Sequence, residues 1–417
     1  MPQISIIIPA YNNSRYLPEC VHSVTRQEFT DLEVIIVDDA STDDTPIVAS
    51  RLAAEDSRIK FIRHDKNSGT LASRKTGILA SKGKFVMLMD QDDELSANAL
   101  TSLNSFAEKH QADIYHFGVQ VQAANSSAQQ AASGMTSFLT PKPRQLTNED
   151  ILATQFSPDN GFDWHVHHKM YAGDFARSAY AMAADRRLVL SDDLYMSFIL
   201  DATASTYIGI PDSPWYIYHL GRGDTLGQQL TTDALDTVSQ RDAQALSMLR
   251  DFVEHNRSNI NRSDWDERLM DVQNRLIEHT MNEWKDNLPD NAKSNALQRV
   301  LVNWAPDTVC GELYRYVRDH AYAYLVSQDR SSTTSLKEKE QAEQYLHLAQ
   351  HIEQQNGLPA GCDNRHYLEL RNIAYGHLKD SGLLPTQTPQ KSRNINSNHL
   401  KVMFKRLFPR HQDKPVR

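Results

Sequence analysis

"FVMLMDQDDEL", residues 85–95, runs five apolar residues, Phe85 to Met89, straight into Asp90, Asp92, Asp93 and Glu94. A continuous apolar run of this length suits a strand covered on both faces, and such strands belong to sheets with helices on either side. Four acids at one tip repel one another. Either a cation offsets them or they sit at the start of a helix, whose dipole favours acids. In open sheets of this kind ligands bind beyond the carboxyl ends of the strands, where this tip would lie. Carboxylates two residues apart can hold one hard divalent cation, which places Asp90 and Asp92 at a site and leaves Asp93 and Glu94 as helix starters.

The surrounding sequence repeats the pattern. "ISIIIP" (4–9), "LEVIIVDD" (32–39), "IKFIRHD" (59–65) and "ADIYHFGV" (112–119) alternate with amphipathic segments. This alternation predicts an α/β fold, a Rossmann-like, mainly parallel sheet with flanking helices. "RRLVL" and "ASTYIGI" read as later strands around the helical "DDLYMSFIL". The stretch 122–145, rich in Ala, Gln and Ser, reads as an exposed loop. Beyond about residue 230 apolar residues recur at spacings of three and four; Tyr345, Leu348, Ala349 and Ile352 share one face. The reading is a sheet domain over 1–225, an α-helical C-terminal domain over 226–385, and a linker with a basic tail over 386–417.

Bulk properties narrow the function classes. No apolar run approaches the ~20 residues needed to span a bilayer. "MPQISIIIPAYNN" has no basic leader, which argues against a secretory signal. Cys20, Cys310 and Cys362 form no CxxC pair, so a reducing cytoplasm is expected. The net charge of −9 argues against nucleic acid as a partner. It is unevenly spread: residues 391–417 carry eight Lys/Arg against the single acid Asp413. Within that tail Leu400, Met403, Phe404, Leu407 and Phe408 recur at helical spacing among Lys401, Lys405 and Arg406. Such a segment suits an anionic membrane surface, here through residues 399–417.

Neither GxGxxG nor GxxxxGK[ST] follows the first strand, which removes dinucleotide-binding and P-loop readings. Asp39, at the end of the second strand, can accept a hydrogen bond from a base or a ribose; the plainer alternative is a helix cap. Asn67, Gly69 and Arg74 lie on a turn entering a helix, where backbone amides and Arg74 can receive an anion. His165 and His167 are two apart and would share one face of a strand, but no third ligand accompanies them for zinc.

Taken in order, "SIIIPAYNNSRYL", "VIIVDDASTDDT", "NSGTLASRKTG", "FVMLMDQDDEL" and "LSDDLYMSF" resemble the family 2 glycosyltransferases with a GT-A fold, over about residues 3–220. The resemblance implies an inverting enzyme with a nucleotide-diphosphate sugar donor, UDP-linked, and a glycan or lipid-linked glycan acceptor. It implies that Pro9, Ala10, Tyr11, Asn12, Asp39, Asn67, Arg74, Asp90 and Gln91 bind the nucleotide sugar. Asp90 and Asp92 would hold Mn2+ or Mg2+, Asp92 the more directly. Asp193 would be the catalytic base, with Asp192 beside it where the family commonly has Glu. Lys169, His168 and Tyr171 fall where acceptor contacts are expected. His219 and Arg222, in a loop with Gly221 and Gly223, would face the leaving diphosphate. The context implied is bacterial capsule, O-antigen or lipooligosaccharide synthesis, on the cytoplasmic side of the inner membrane, with a homodimer possible. A nucleotidyltransferase and a non-catalytic scaffold with a vestigial transferase domain are the rival readings.

Overall fold

The computed structural model describes residues 1–188, 191–222 and 230–384. The described residues divide into two compact units, one within residues 1–222 and 244–272 and the other within residues 230–243 and 273–384.

The first unit is built on one nine-stranded sheet. Its strands are β1 (Ile4–Ala10), β2 (Leu32–Asp38), β3 (Ile59–Arg63), β4 (Phe85–Leu88), β5 (Glu94–Leu95), β6 (Ile114–Ala123), β7 (Arg144–Thr147), β8 (Lys169–Ala172) and β9 (Thr206–Leu220). They lie in the order β3-β2-β1-β4-β8-β6-β9-β5, with β7 paired to β9. Pairing is parallel from β3 through β4 and along β6–β9, whereas β8, β5 and β7 enter antiparallel. β1 and β2 are buried at every position, as their unbroken Ile and Val runs require.

Helices cover the sheet: α1 (Leu17–Thr25), α2 (Thr45–Glu55), α3 (Thr70–Ala80), α4 (Ala99–Lys109), α5 (Ser126–Leu139), α6 (Glu149–Gln155), α7 (Gly173–Met182) and α8 (Asp192–Thr203). α1 buries Leu17, Cys20, Val21 and Val24, a single stripe at helical spacing. With Ile4, Ile6, Ile8, Val34 and Ile36 they form part of one core. α3 takes the opposite face. A Cβ on Gly77 would fall 2.3 Å from Ile7 Cγ2 and 3.3 Å from Val37 Cγ2, so glycine is what allows this helix to lie against β1 and β2. α8 is buried nearly all round, from Leu194 to Ala202.

Three expectations need correction. Residues 122–145 are not a loop: β6 runs to Ala123, Asn125 caps α5 by accepting from the Ala128 amide, and β7 follows. Asp93 and Glu94 do not start a helix either, since Glu94 belongs to β5 and α4 begins at Ala99. "RRLVL" makes no strand over 186–188; residues 189–190 lie outside the described residues.

The second unit is helical. The chain passes through α9 (Thr232–Asn256) and α10 (Trp265–Asn282), each divided between the units, and then α11 (Asp290–Asn303), α12 (Pro306–Val326), α13 (Thr333–Asn356) and α14 (Arg365–Ser381). Tyr345, Leu348, Ala349 and Ile352 of α13 are buried together, as their spacing predicts. Among the described residues no helix is long and apolar enough to cross a membrane. The basic tail lies outside the described residues.

Candidate active site

The carboxyl ends of β1, β2 and β4 open into one cavity of about 240 Å³. It is lined by Pro9, Ala10 and Tyr11 after β1, Asp39 after β2, Thr70 and Ser73 of α3, Asp90 to Asp93 after β4, and Tyr218 to Gly221 at the end of β9. Strand pairing continues into its floor, with the Met89 amide on the Ile7 carbonyl (3.0 Å) and the Asp39 amide on the Ala10 carbonyl (2.8 Å). Residues far apart in sequence are thereby fixed at one mouth, as an open sheet of this type dictates.

The acidic tip is held from several sides. The Gln91 carboxamide accepts from the Tyr11 amide (2.9 Å) and donates to the Tyr11 carbonyl (3.2 Å), clasping the first loop to the third. Tyr216 of β9 accepts from the Asp90 amide and donates to Asp93 Oδ2 at 2.8 Å. Asp93 Oδ1 accepts from the His219 amide, and Glu94 meets the His219 ring at 2.6 Å. Asp93 and Glu94 therefore anchor β9 to the tip. Asp90 and Asp92 are left facing the cavity.

Charge at this tip is poorly compensated. Burial, then repulsion from Asp90, pushes the Asp92 carboxyl up to about 6. Burial and the same neighbours push Asp93 well above the usual carboxylate range. Asp92 and Asp90, the latter held through Oδ1 by Arg74, form a hard, all-oxygen donor set, which fits Mg2+ or Mn2+ completed by water and ligand oxygens.

Behind the tip sits Arg74, 3% exposed, on α3. Its guanidinium donates to Asp90 Oδ1 (2.8 Å), to Asp192 Oδ2 (3.0 Å) and to Asp193 Oδ1. Burial opposes its charge, but the three carboxylates outweigh it and raise its pKa further. Burial pushes Asp192 up to about 7. Asp193 feels the same burial, yet Arg74 and the nearby His167 hold it below the ordinary range. Arg74 thus keeps Asp193 as the anionic member of the pair and ties it to Asp90. Both acids stand in the first turn of α8, where the helix dipole favours them.

Other expected contacts are placed differently. Asp39 lines the cavity, but its carboxylate accepts from the Ser68 and Gly69 amides and meets His64 Nδ1 at 2.8 Å, fixing the turn into α3 rather than capping α2. The Asn12 side chain accepts from the Thr42 amide, and Asn67 accepts from Arg187. Arg222 donates to the Asp92 carbonyl (3.0 Å), pairs with Glu19 (3.2 Å) and lies over the Tyr16 ring. Gly223 lies outside the described residues.

Lys169, His168 and Tyr171, where acceptor contacts are expected, are all buried. Lys169 Nζ lies 3.0 Å from Asp163 Oδ2 and 2.6 Å from the His165 carbonyl; Tyr171 donates to the Val166 carbonyl. Their segment packs between β4 and β6, which pair with β8 on either side, so its side chains point into the interior. Sequence reading also missed Tyr216, Tyr218, Thr70 and Ser73. Tyr216 was discoverable, since "WYIYHL" has the aromatic alternation of a strand.

Four of the seven non-glycine residues with positive φ among the described residues adjoin this region: Asn12, Ala40, His168 and Ser191. Such strain gathers where a fold holds functional groups in place.

Residues 5–164 match the profile described as "Glycosyl transferase family 2". The "GalNAc(5)-diNAcBac-PP-undecaprenol beta-1,3-glucosyltransferase" of Campylobacter jejuni is 32% identical over 158 residues, 38% of this chain and 50% of the relative. The "uncharacterized glycosyltransferase EpsJ" of Bacillus subtilis is 28% identical over 219 residues, 52% of this chain and 61% of the relative. The chain therefore spans about half the length of these relatives. Among solved structures, Staphylococcus aureus TarS 1–349 in complex with UDP-GlcNAc superimposes with a TM-score of 0.51 at 15% identity, covering 90% of this chain and 92% of the other. That likeness is one of fold.

Proposed function

We propose, from the premise that the sheet unit of this chain belongs to glycosyl transferase family 2 and has the GT-A fold, that the protein moves a sugar from a nucleotide diphosphate to a glycan acceptor with inversion at the anomeric carbon. The observation that carries this reading is the Arg74 cluster, which sets an ionised Asp193 beside Asp90 at the mouth of the β4 strand. An inverting transfer needs a base opposite the leaving diphosphate, and Asp193 is the carboxylate this cluster offers for that part.

The nucleotide lies against Pro9, Ala10 and Tyr11, with Asp39 within reach of its base or ribose. UDP is the preferred nucleotide, supported by the fold shared with the UDP-GlcNAc complex. Asp92, with Asp90, would hold a divalent cation, which when bound would neutralise charge on the diphosphate. Arg222, already docked on the Asp92 carbonyl, adds positive charge and donors at the same end, where His219 also lines the cavity. Asp193 takes the proton of the acceptor hydroxyl as the new glycosidic bond forms; Arg74 keeps that carboxylate ionised beforehand. Asp192, buried against the same guanidinium, positions it.

Extension of a lipid-linked glycan is the step this reading takes up, from the printed name of the Campylobacter relative. The test is Asp193→Asn assayed against a panel of nucleotide sugars with Mn2+. Turnover should fall by ~10²-fold or more while donor binding persists. Full turnover in that variant rejects the assignment of the base, and failure of any nucleotide sugar to bind rejects the transferase reading.

A further inference from the structure

A second cluster of chemistry-bearing side chains lies apart from the Asp90–Asp92 tip. His116 on β6, Asp163 before β8 and His168 offer one ligand atom each within 4.8 Å of one another. His116 Nδ1 stands 3.0 Å from Asp163 Oδ2, and the His116 and His168 rings are 4.6 Å apart. Both histidines are buried, and the Nε2 atom of each has no hydrogen-bond partner. An orphaned buried imidazole nitrogen costs about as much as a lost hydrogen bond, so two in one cluster call for a ligand. We propose that His116, Asp163 and His168 form a binding site for one first-row transition-metal ion of the zinc class, separate from the divalent site at Asp92.

The donor chemistry favours that class. Two imidazoles and one carboxylate suit Zn2+, whereas the all-oxygen set at the strand tip suits Mg2+ or Mn2+. Burial keeps His116 and His168 neutral across the physiological range, the form that binds metal. The ligands tie β6 to the segment before β8, two elements distant in sequence, as a structural ion would. A cavity of about 340 Å³, lined in part by Phe138, Arg144, Gln155 and Asn160, has Asp163 in its wall, so one of the three ligands borders an open space. Gln155 Nε2, 3.3 Å from Asp163 Oδ2, provides the carboxylate with an outer partner of the kind that orients metal ligands.

Lys169 is the competing cation, because its ammonium lies 3.0 Å from the same Asp163 oxygen. It also holds the His165 carbonyl at 2.6 Å, so it keeps a partner when the ion takes the carboxylate. Asp201, buried with Oδ2 unpartnered and pushed up to about 8 by burial, is a neutral carboxyl near Lys169 and Asp163 that can release its proton as the ion's charge is added.

The test uses the full chain. After purification without added metal it should retain close to one equivalent of zinc by elemental analysis. After chelator treatment and Co2+ loading it should show the intense visible bands of tetrahedral nitrogen–oxygen ligation. Those bands should be lost in His116→Gln and in His168→Gln and kept in Asp92→Asn. Zn2+ should raise the Tm of the chelator-treated wild type and leave that of His116→Gln unchanged. Bands that survive both histidine substitutions and vanish in Asp92→Asn overturn the proposal. Should the histidine variants fail to fold, the wild type decides alone: no retained metal, no cobalt bands and no zinc-dependent Tm shift leave only a metal-free polar core.

Discussion

Arg74 is where the electrostatics of the site converge, because one buried guanidinium answers three carboxylates. Removing one partner of such a network leaves buried charge uncompensated, which costs about 3–5 kcal/mol. Arg74→Ala should therefore lower stability by that order in urea melts, with activity lost alongside. Arg74→Lys should recover only part, since a point charge cannot span three acceptors. Asp92 carries a pH signature. Its folded-state pKa of about 6 stands above the ordinary 3.8, so the folded protein binds that proton more tightly than the unfolded chain. The stability this confers is complete below pH ~4 and is lost as pH rises to about 6. Relative to Asp92→Asn, which has no proton to lose, the apo wild type should weaken by roughly 1–3 kcal/mol over that window and stay level above it. Melts of both proteins from pH 4.5 to 7 check the sign, and Mn2+ should restore the wild type at pH 7. Asp90, Gln91, Asp92 and Tyr11 were legible in sequence because strand ends followed by acids or turns declare a ligand mouth. The burial of Lys169, His168 and Tyr171 was not legible, because their positions in the sequence say nothing of Asp163 and β6, which pack beside them.

Elements position these residues, and α3 shows how narrow the tolerance is. Arg74 and Gly77 are three apart on its buried face, so the contact of Gly77 with Ile7 sets how deeply the guanidinium reaches. Gly77→Ala should cost about 1–3 kcal/mol through overpacking. It should also weaken donor binding in a titration, although residue 77 touches no ligand, because Thr70 and Ser73 ride on the same helix. The strands from β1 to β4 could be read from their apolar runs. The antiparallel β5, β7 and β8 could not: they are two to four residues long, and register against distant partners specifies them. α5 escaped for a different reason. Its Ala and Gln favour helix intrinsically, but only Ala128 and Leu139 are buried, so the apolar periodicity that reveals most helices is missing.

At the scale of the whole molecule, the segment after residue 385 is the part whose role rests on sequence alone. If the basic, amphipathic stretch over 399–417 binds anionic lipid, the full chain should co-sediment with phosphatidylglycerol-containing vesicles. It should release as salt is raised, and a chain ending at 385 should remain in the supernatant. Equal behaviour of both chains would remove the membrane from the picture. The helical C-terminal half was legible from its three- and four-residue spacing. Its boundary was not, because hydrophobic period carries no record of which unit a helix completes.

That boundary has a consequence for how the protein is made. Residues 244–272 belong to the sheet unit: Arg262 donates to the Glu149 carbonyl and Arg268 to the Ala153 and Phe156 carbonyls around the end of α6, while Trp265 stacks on Phe198 of α8, the helix that carries Asp192 and Asp193. A ribosome that has just released residue 227 has therefore not yet delivered a finished sheet unit. At ~5–20 residues per second the missing piece follows a few seconds later. Until it arrives, the faces of α6 and α8 that it covers are open to solvent and to chaperones, so the order of synthesis itself delays completion of the active site.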